Sequence, residues 1–175
     1  MNKDASKLAK DLNAGETEGA ILIYTAVDEG TNLPQSKTAI TMAKGSCMCG
    51  QVHYEYTGEP AVTALCHCTD CQKWTGAAYT SNVVVPRKSF NVTKGKPKDY
   101  DAVGASGKIN KHWFCSNCGS SLYTELEIMP DMTCVKSGSL DGGAANHDIK
   151  VEFYNKDRLG YTKPVEGADQ KAEFS

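Results

Sequence analysis

The sequence predicts a mainly β domain, and three observations carry that prediction. Short runs that alternate apolar and polar side chains, such as Val52-His53-Tyr54-Glu55-Tyr56 and Ile149-Lys150-Val151-Glu152-Phe153, recur along the chain. Gly, Pro and Asn separate these runs, and no interval carries a long helical period. The cysteines fall into close groups, Cys47/Cys49, Cys66/Cys68/Cys71 and Cys115/Cys118, at spacings that suit metal ions holding turns together.

Taken in order, Ser6 with Leu8, Ala9 and Leu12 gives a short helical pattern with weak flanks, expected to form a surface helix. Gly19 to Val27 is rich in β-formers and reads as a strand, followed by a loop marked by Asp, Gly, Asn and Pro. Together these make an N-terminal extension, residues 1–43, expected to dock on the main domain. The domain itself is expected over residues 44–165. Its strand-like runs are 52–57, 61–65, 77–85, 89–93, 108–114, 121–126, 132–140 and 149–154. Gly142 to Ala145 marks a flexible turn, and the polar tail at 166–175 is expected to fray.

Composition narrows the function. A chain of 175 residues with 40% hydrophobic side chains suffices for one core of ordinary size. The net charge of -2, without any block of like charge, lacks the electrostatic footprint of a nucleic-acid binder and directs attention to a small-molecule or protein partner. Neither a long apolar run nor a leader-like N-terminus signals membrane insertion or secretion, so the expected compartment is the cytosol. Eight cysteines in a reducing compartment then point to metal binding.

The pairs Cys47/Cys49 and Cys115/Cys118 each end in Cys-Gly, and the glycine permits a tight turn that aims backbone N–H groups at the thiolate. Four such thiolates make a closed tetrahedral site of structural zinc type; the competing possibility is a pair of disulfides or buried free thiols. Cys66, Cys68 and Cys71 offer only three ligands, the pattern of an ion with an exchangeable fourth position. Zinc held by three thiolates has a net charge of about -1, which makes it a weak generator of hydroxide and a better acceptor of a substrate thiolate. The competing possibility is that Cys134 or a histidine closes this site as a fourth ligand. His67 between two of the cysteines suggests hydrogen bonding or solvent contact, His53 a surface or satisfied half-buried strand position, and His112 or His147 a proton carrier. Lys73 and Trp74 follow the cluster directly, either offsetting its charge or serving as a solvated lysine and a packed aromatic.

The stretches Lys44-Gly45-Ser46-Cys47-Met48-Cys49-Gly50-Gln51-Val52, Cys66-His67-Cys68-Thr69-Asp70-Cys71-Gln72-Lys73 with Gly76, and Phe114-Cys115-Ser116-Asn117-Cys118-Gly119-Ser120 resemble the glutathione-dependent formaldehyde-activating enzyme family, which includes centromere protein V. Ser137-Gly138-Ser139-Leu140-Asp141 resembles its next strand and turn. The resemblance implies an Mss4-like β-tent of short antiparallel strands around two zinc ions. One is bound by Cys47, Cys49, Cys115 and Cys118, the other by Cys66, Cys68 and Cys71 near the substrate. It also implies carbon–sulfur lyase chemistry on a small-molecule thiol or glutathione adduct. The chain departs from the family in its first 43 residues and at Arg158-Leu159-Gly160-Tyr161, where members often carry a tryptophan. The alternative function is a non-catalytic zinc-stabilised module that binds a protein partner. A redox protein with metal-free reactive thiols is a third.

Overall fold

The computed structural model describes residues 41–142 and 147–174. The expected N-terminal helix and strand, and most of the Gly142–Ala145 turn, lie outside them. Among the described residues eleven strands form two sheets, so the mainly β class read from the sequence is the class observed. In chain order they are β1 (Met42–Ser46), β2 (His53–Thr57), β3 (Val62–Cys66), β4 (Thr80–Pro86), β5 (Phe90–Lys94) and β6 (Lys98–Val103). Then follow β7 (Ile109–Phe114), β8 (Ser121–Leu126), β9 (Met132–Lys136), β10 (Val151–Phe153) and β11 (Asp169–Gln170). Among the described residues one α-helix is present, α1 (Thr69–Thr75), seven residues long, between β3 and β4. No helix among the described residues is long and apolar enough to cross a membrane.

The smaller sheet has the order β1-β2-β5 and the larger β11-β10-β3-β4-β9-β8-β7-β6. Most pairings are antiparallel, as expected, but β10 runs parallel to both β3 and β11. Alternation along β4 explains how the two sheets meet. Val83 and Val85 are fully buried with Val135 of β9 and Tyr123 of β8 in a core that also takes Tyr54 and Tyr56 from β2. Phe90 bridges the sheets, its ring 5.3 Å from Tyr54 and 4.6 Å from Tyr123 between centroids. Burying such aromatic area is the main source of cohesion between the layers.

Several boundaries differ from the sequence reading. The run 77–85 becomes a strand only at Thr80, because Ala77 to Tyr79 carry the chain away from α1. The run 132–140 leaves the sheet after Lys136, and Ser137–Ser139 form a 3-10 turn. Strand β6 was not foreseen: it is a mostly exposed edge strand whose Lys98, Asp99 and Asp101 erase any apolar alternation. The tail is not frayed. Asp169–Gln170 pairs with β10, the Lys171 N–H donates to the Glu152 carbonyl at 2.8 Å, and the Phe174 ring packs 4.8 Å from Phe153.

Candidate metal centre and adjoining cleft

The two hairpin-like turns that follow β1 and β7 have the same construction. Cys47 N–H bonds Val52 O at 3.0 Å and Gly50 N–H returns to Cys47 O; Cys115 N–H bonds Ser120 O at 3.0 Å and Gly119 N–H returns to Cys115 O. Gly50 (φ 68) and Gly119 (φ 75) occupy the left-handed region that closes each turn, which is the role the Cys-Gly pairs suggested. The turns bring the Cys47, Cys49, Cys115 and Cys118 sulfurs within 4.8 Å of one another. Cys47 to Cys49 is 3.5 Å and Cys49 to Cys115 is 3.7 Å. Ligands at about 2.3 Å around a tetrahedral ion stand about 3.8 Å apart, so this donor set fits zinc, and the distances are far too long for disulfide bonds. The Val52 N–H points at the Cys47 sulfur at 3.3 Å, and the Ser120 hydroxyl lies 3.2 Å from that of Cys118. Hydrogen bonds from the Ser120 hydroxyl and N–H draw the Cys118 thiol down to about 5.

The second group is built at the junction of β3 and α1. Cys66 ends β3, and Cys68 is the N-cap of α1, its sulfur accepting the Cys71 N–H at 3.4 Å. A thiolate here satisfies one of the orphan N–H groups of the first turn, and places Cys71 on the same side as Cys68. The helix stops at Gly76, which adopts φ 63 and returns its N–H to Gln72 O. Trp74 holds the helix on the larger sheet, stacked on His112 of β7 at 4.5 Å and edge-on to Phe114 at 5.8 Å. The packed-aromatic reading of Trp74 is therefore the observed one, and Lys73 is exposed.

The Cys66, Cys68 and Cys71 sulfurs lie within 4.8 Å of one another, with Cys66 to Cys68 at 3.5 Å. Among the described residues no fourth histidine, cysteine or carboxylate joins them. Cys134 is instead buried in β9 opposite Val84 and Thr124, and burial pushes its thiol up to about 11. Hydrogen bonds from the Cys66 and Cys68 thiols hold the Cys71 thiol down at about 3, helped by the Lys136 cation and the Thr80 hydroxyl. The same crowding pushes Cys66 far up. Three thiolates at this spacing repel one another unless a cation sits among them, so the set fits a divalent metal.

Two side-chain networks support this cluster, and the first of them, through Thr80, was not anticipated. On the face of β4 opposite the valine core, Thr80 donates its hydroxyl to the Cys71 sulfur at 3.2 Å and accepts the Asn82 amide at 2.8 Å. Asn82 Oδ1 in turn accepts from Lys136 Nζ of β9 at 2.8 Å. The second support is His67, expected to hydrogen bond. It is 1% exposed, and its Nε2 lies 2.6 Å from Glu152 Oε2. Glu152, which alternation placed on a polar face, is fully buried because the tail covers β10. It accepts from Arg158 Nη2 (2.8 Å), Gln170 Nε2 (3.0 Å) and the Val165 N–H (2.5 Å). Burial alone would raise this carboxyl, but the N–H donors of Val165, Gln170, Arg158 and His67 outweigh it and hold it at about 2.

The remaining histidines are placed plainly. His53 is half-buried on β2 with Nε2 3.0 Å from Gly50 O. His112 is buried, its Nδ1 2.9 Å from Thr124 Oγ1, and burial with the Lys136 cation pushes it down to about 4. A cleft of about 690 Å³ is lined by Cys47, Met48 and Ser120 together with Tyr79, Thr80 and Lys136. The sulfurs of the second group are not on its wall; Thr80, bonded to Cys71, is. Asp141 and Ser46, hydrogen bonded at 2.7 Å, line its far end.

Comparison with known proteins adds to this geometry. Residues 42–157 match the family model described as glutathione-dependent formaldehyde-activating enzyme. An uncharacterized lyase of Schizosaccharomyces pombe is 30% identical over 82 residues, 46% of this chain and 55% of that protein. A Fusarium vanettenii protein that provisionally bears the name glutathione-dependent formaldehyde-activating enzyme is 35% identical over 83 residues, 46% of this chain and 44% of its own. The chain thus spans about half the length of the curated relatives it matches. A crystal structure of a Rhodobacter sphaeroides protein aligns with 73% of this chain and 98% of its own, at a TM-score of 0.46 and 21% identity. The family model covers every cysteine of both clusters and Thr80, Lys136 and Glu152 besides, and on that extent of match this chain belongs to the glutathione-dependent formaldehyde-activating enzyme family.

Proposed function

We propose that the chain is a zinc-dependent carbon–sulfur lyase that makes or breaks the bond between a thiol, such as glutathione, and a one-carbon carbonyl compound. Cys47, Cys49, Cys115 and Cys118 would hold one zinc as a structural cross-link between the turns after β1 and β7. Cys66, Cys68 and Cys71 would hold a second. A metal held there would supply a coordination position able to keep a substrate thiol as the nucleophilic thiolate.

The chain's own residues prepare that position. Cys68 and Cys71 are fixed by the first turn of α1, and Trp74 fixes α1 on β7. The Thr80 hydroxyl holds Cys71 in orientation and takes up part of its charge. Glu152 fixes His67, and with it the backbone between Cys66 and Cys68. The cleft beside Thr80 and Lys136 is wide enough for a peptide-sized thiol. The observation that carries the reading is the cluster of three half-buried sulfurs that no other donor among the described residues completes.

Exchange spectroscopy by ¹³C NMR tests it. Zinc-loaded protein should accelerate interconversion of glutathione, formaldehyde and S-hydroxymethylglutathione above the spontaneous rate, and Cys68→Ser should remove the acceleration. Unchanged exchange with every thiol offered would leave the family fold without this activity.

A further inference from the structure

Lys136 is 8% exposed, yet among the described residues no carboxylate lies within ion-pair distance of it. Its ammonium has three donors, and among the described residues one is used, on Asn82 Oδ1. A buried lysine is costly unless negative charge offsets it, and here the Cys71 thiolate, on which Lys136 acts at a distance, is the charge the protein itself supplies. The carboxylate on the cleft wall, Asp141, is bonded to Ser46 instead. Lys136 itself is among the residues that line the cleft. Through Asn82 and Thr80 it is three hydrogen bonds from the Cys71 sulfur.

We propose that Lys136 is the anion anchor of this cleft: it takes the carboxylate of a thiol substrate, held in aim by Asn82, so that the site selects thiols carrying a carboxylate over neutral ones. This rests on the reading that a substrate sulfur meets the metal at Cys66, Cys68 and Cys71. It adds a recognition element from β9 and names the substrate class that element selects. An ammonium held by one hydrogen bond keeps two donors for a carboxylate, and in a sheltered cleft such charge-assisted bonds discriminate strongly. The same buried cation would reject a positively charged thiol such as cysteamine.

The test uses protein loaded with Co²⁺ in place of zinc, where thiolate binding appears as a sulfur-to-cobalt charge-transfer band. The probes are 3-mercaptopropionate and its methyl ester, which share a skeleton and differ in the charge. The acid should bind about tenfold more tightly than the ester. In Lys136→Gln the ratio should fall to about one, while Lys136→Arg should keep a preference for the acid. Comparing ratios within one protein cancels any general weakening of the metal site. Equal binding of acid and ester by the wild-type protein overturns the anchor while leaving the open-metal reading in place; it is the result for a lysine that only balances the sulfurs. No band with either thiol removes the open-metal reading and the anchor with it. The acid–ester pair needs no substituted protein, so the outcome stands even if Lys136→Gln does not fold.

Discussion

His67 and Glu152 meet across a 2.6 Å contact, 85 residues apart in sequence, with side chains 1% and 0% exposed. Because four donors hold the carboxylate ionised, the histidine nitrogen is the donor and the carboxylate the acceptor. The contact ties the loop carrying Cys66 and Cys68 to the parallel seam of β3, β10 and β11. It makes the segment around β11 part of the frame of the three-cysteine cluster.

Glu152→Ala should destabilise the protein by about 3–5 kcal/mol, since it leaves His67 buried without its acceptor and Arg158 with Gln170 in place of a carboxylate. Urea denaturation of the zinc-loaded protein measures this. Glu152→Gln should cost less, because an amide oxygen still accepts from two of the donors.

The acid dependence follows from the same residue. Its folded value of about 2 lies below the ordinary 4.5, so the unfolded chain binds the proton more readily between those values. The stabilisation, about 3 kcal/mol, is complete above pH 4.5 and is lost as the pH falls towards 2. The difference in unfolding free energy between wild type and Glu152→Gln should therefore shrink from pH 5 to pH 3. Protonation of the cysteine ligands enters both proteins alike and cancels. A constant difference would contradict the ionised, fully satisfied carboxylate.

Thr80→Val keeps shape and removes the hydroxyl that bonds Cys71. It should weaken metal affinity at the three-cysteine group about 10–100-fold without loss of the fold. Competition with a chromogenic chelator should show one ion released early and the other retained.

Cys118→Ser should unfold the domain, because its partners Cys47 and Cys115 are embedded in the core at 3% and 1% exposure. Cys68→Ser should leave the circular dichroism spectrum largely unchanged and lower the zinc content from two to one per chain. Cys134→Ala should leave the zinc content unchanged and cost about 1 kcal/mol as a buried thiol lost from β9. Elemental analysis and thermal melts of the three variants check these outcomes together.

The sequence disclosed the sheets and both cysteine clusters because each obeys a local rule: alternation for β2 and β10, Cys-Gly turns for the knuckles, a two- and three-residue cysteine spacing for the rest. It concealed whatever depends on partners far along the chain. The helix α1 was overlooked because its N-cap is a cysteine and its seven residues are too few to show a period. Glu152 looked solvent-facing because alternation reports one covered face, and the tail that covers the other is polar. Lys136 is enclosed by neighbours on β4 and β8 that lie far from it in sequence. A charged residue in the middle of a short β run, flanked by residues with no charge of opposite sign, was the available signal for it.

Strand β4 gives its odd-numbered valines, Val83 and Val85, to the interior and its even-numbered Thr80 and Asn82 to the sulfur side. One ribbon of backbone thus separates foldability from chemistry by nothing more than residue parity. Substrate preference can drift in evolution through one set of positions while the scaffold is inherited intact through the other, and a relative with an altered repertoire should reveal it at the even numbers.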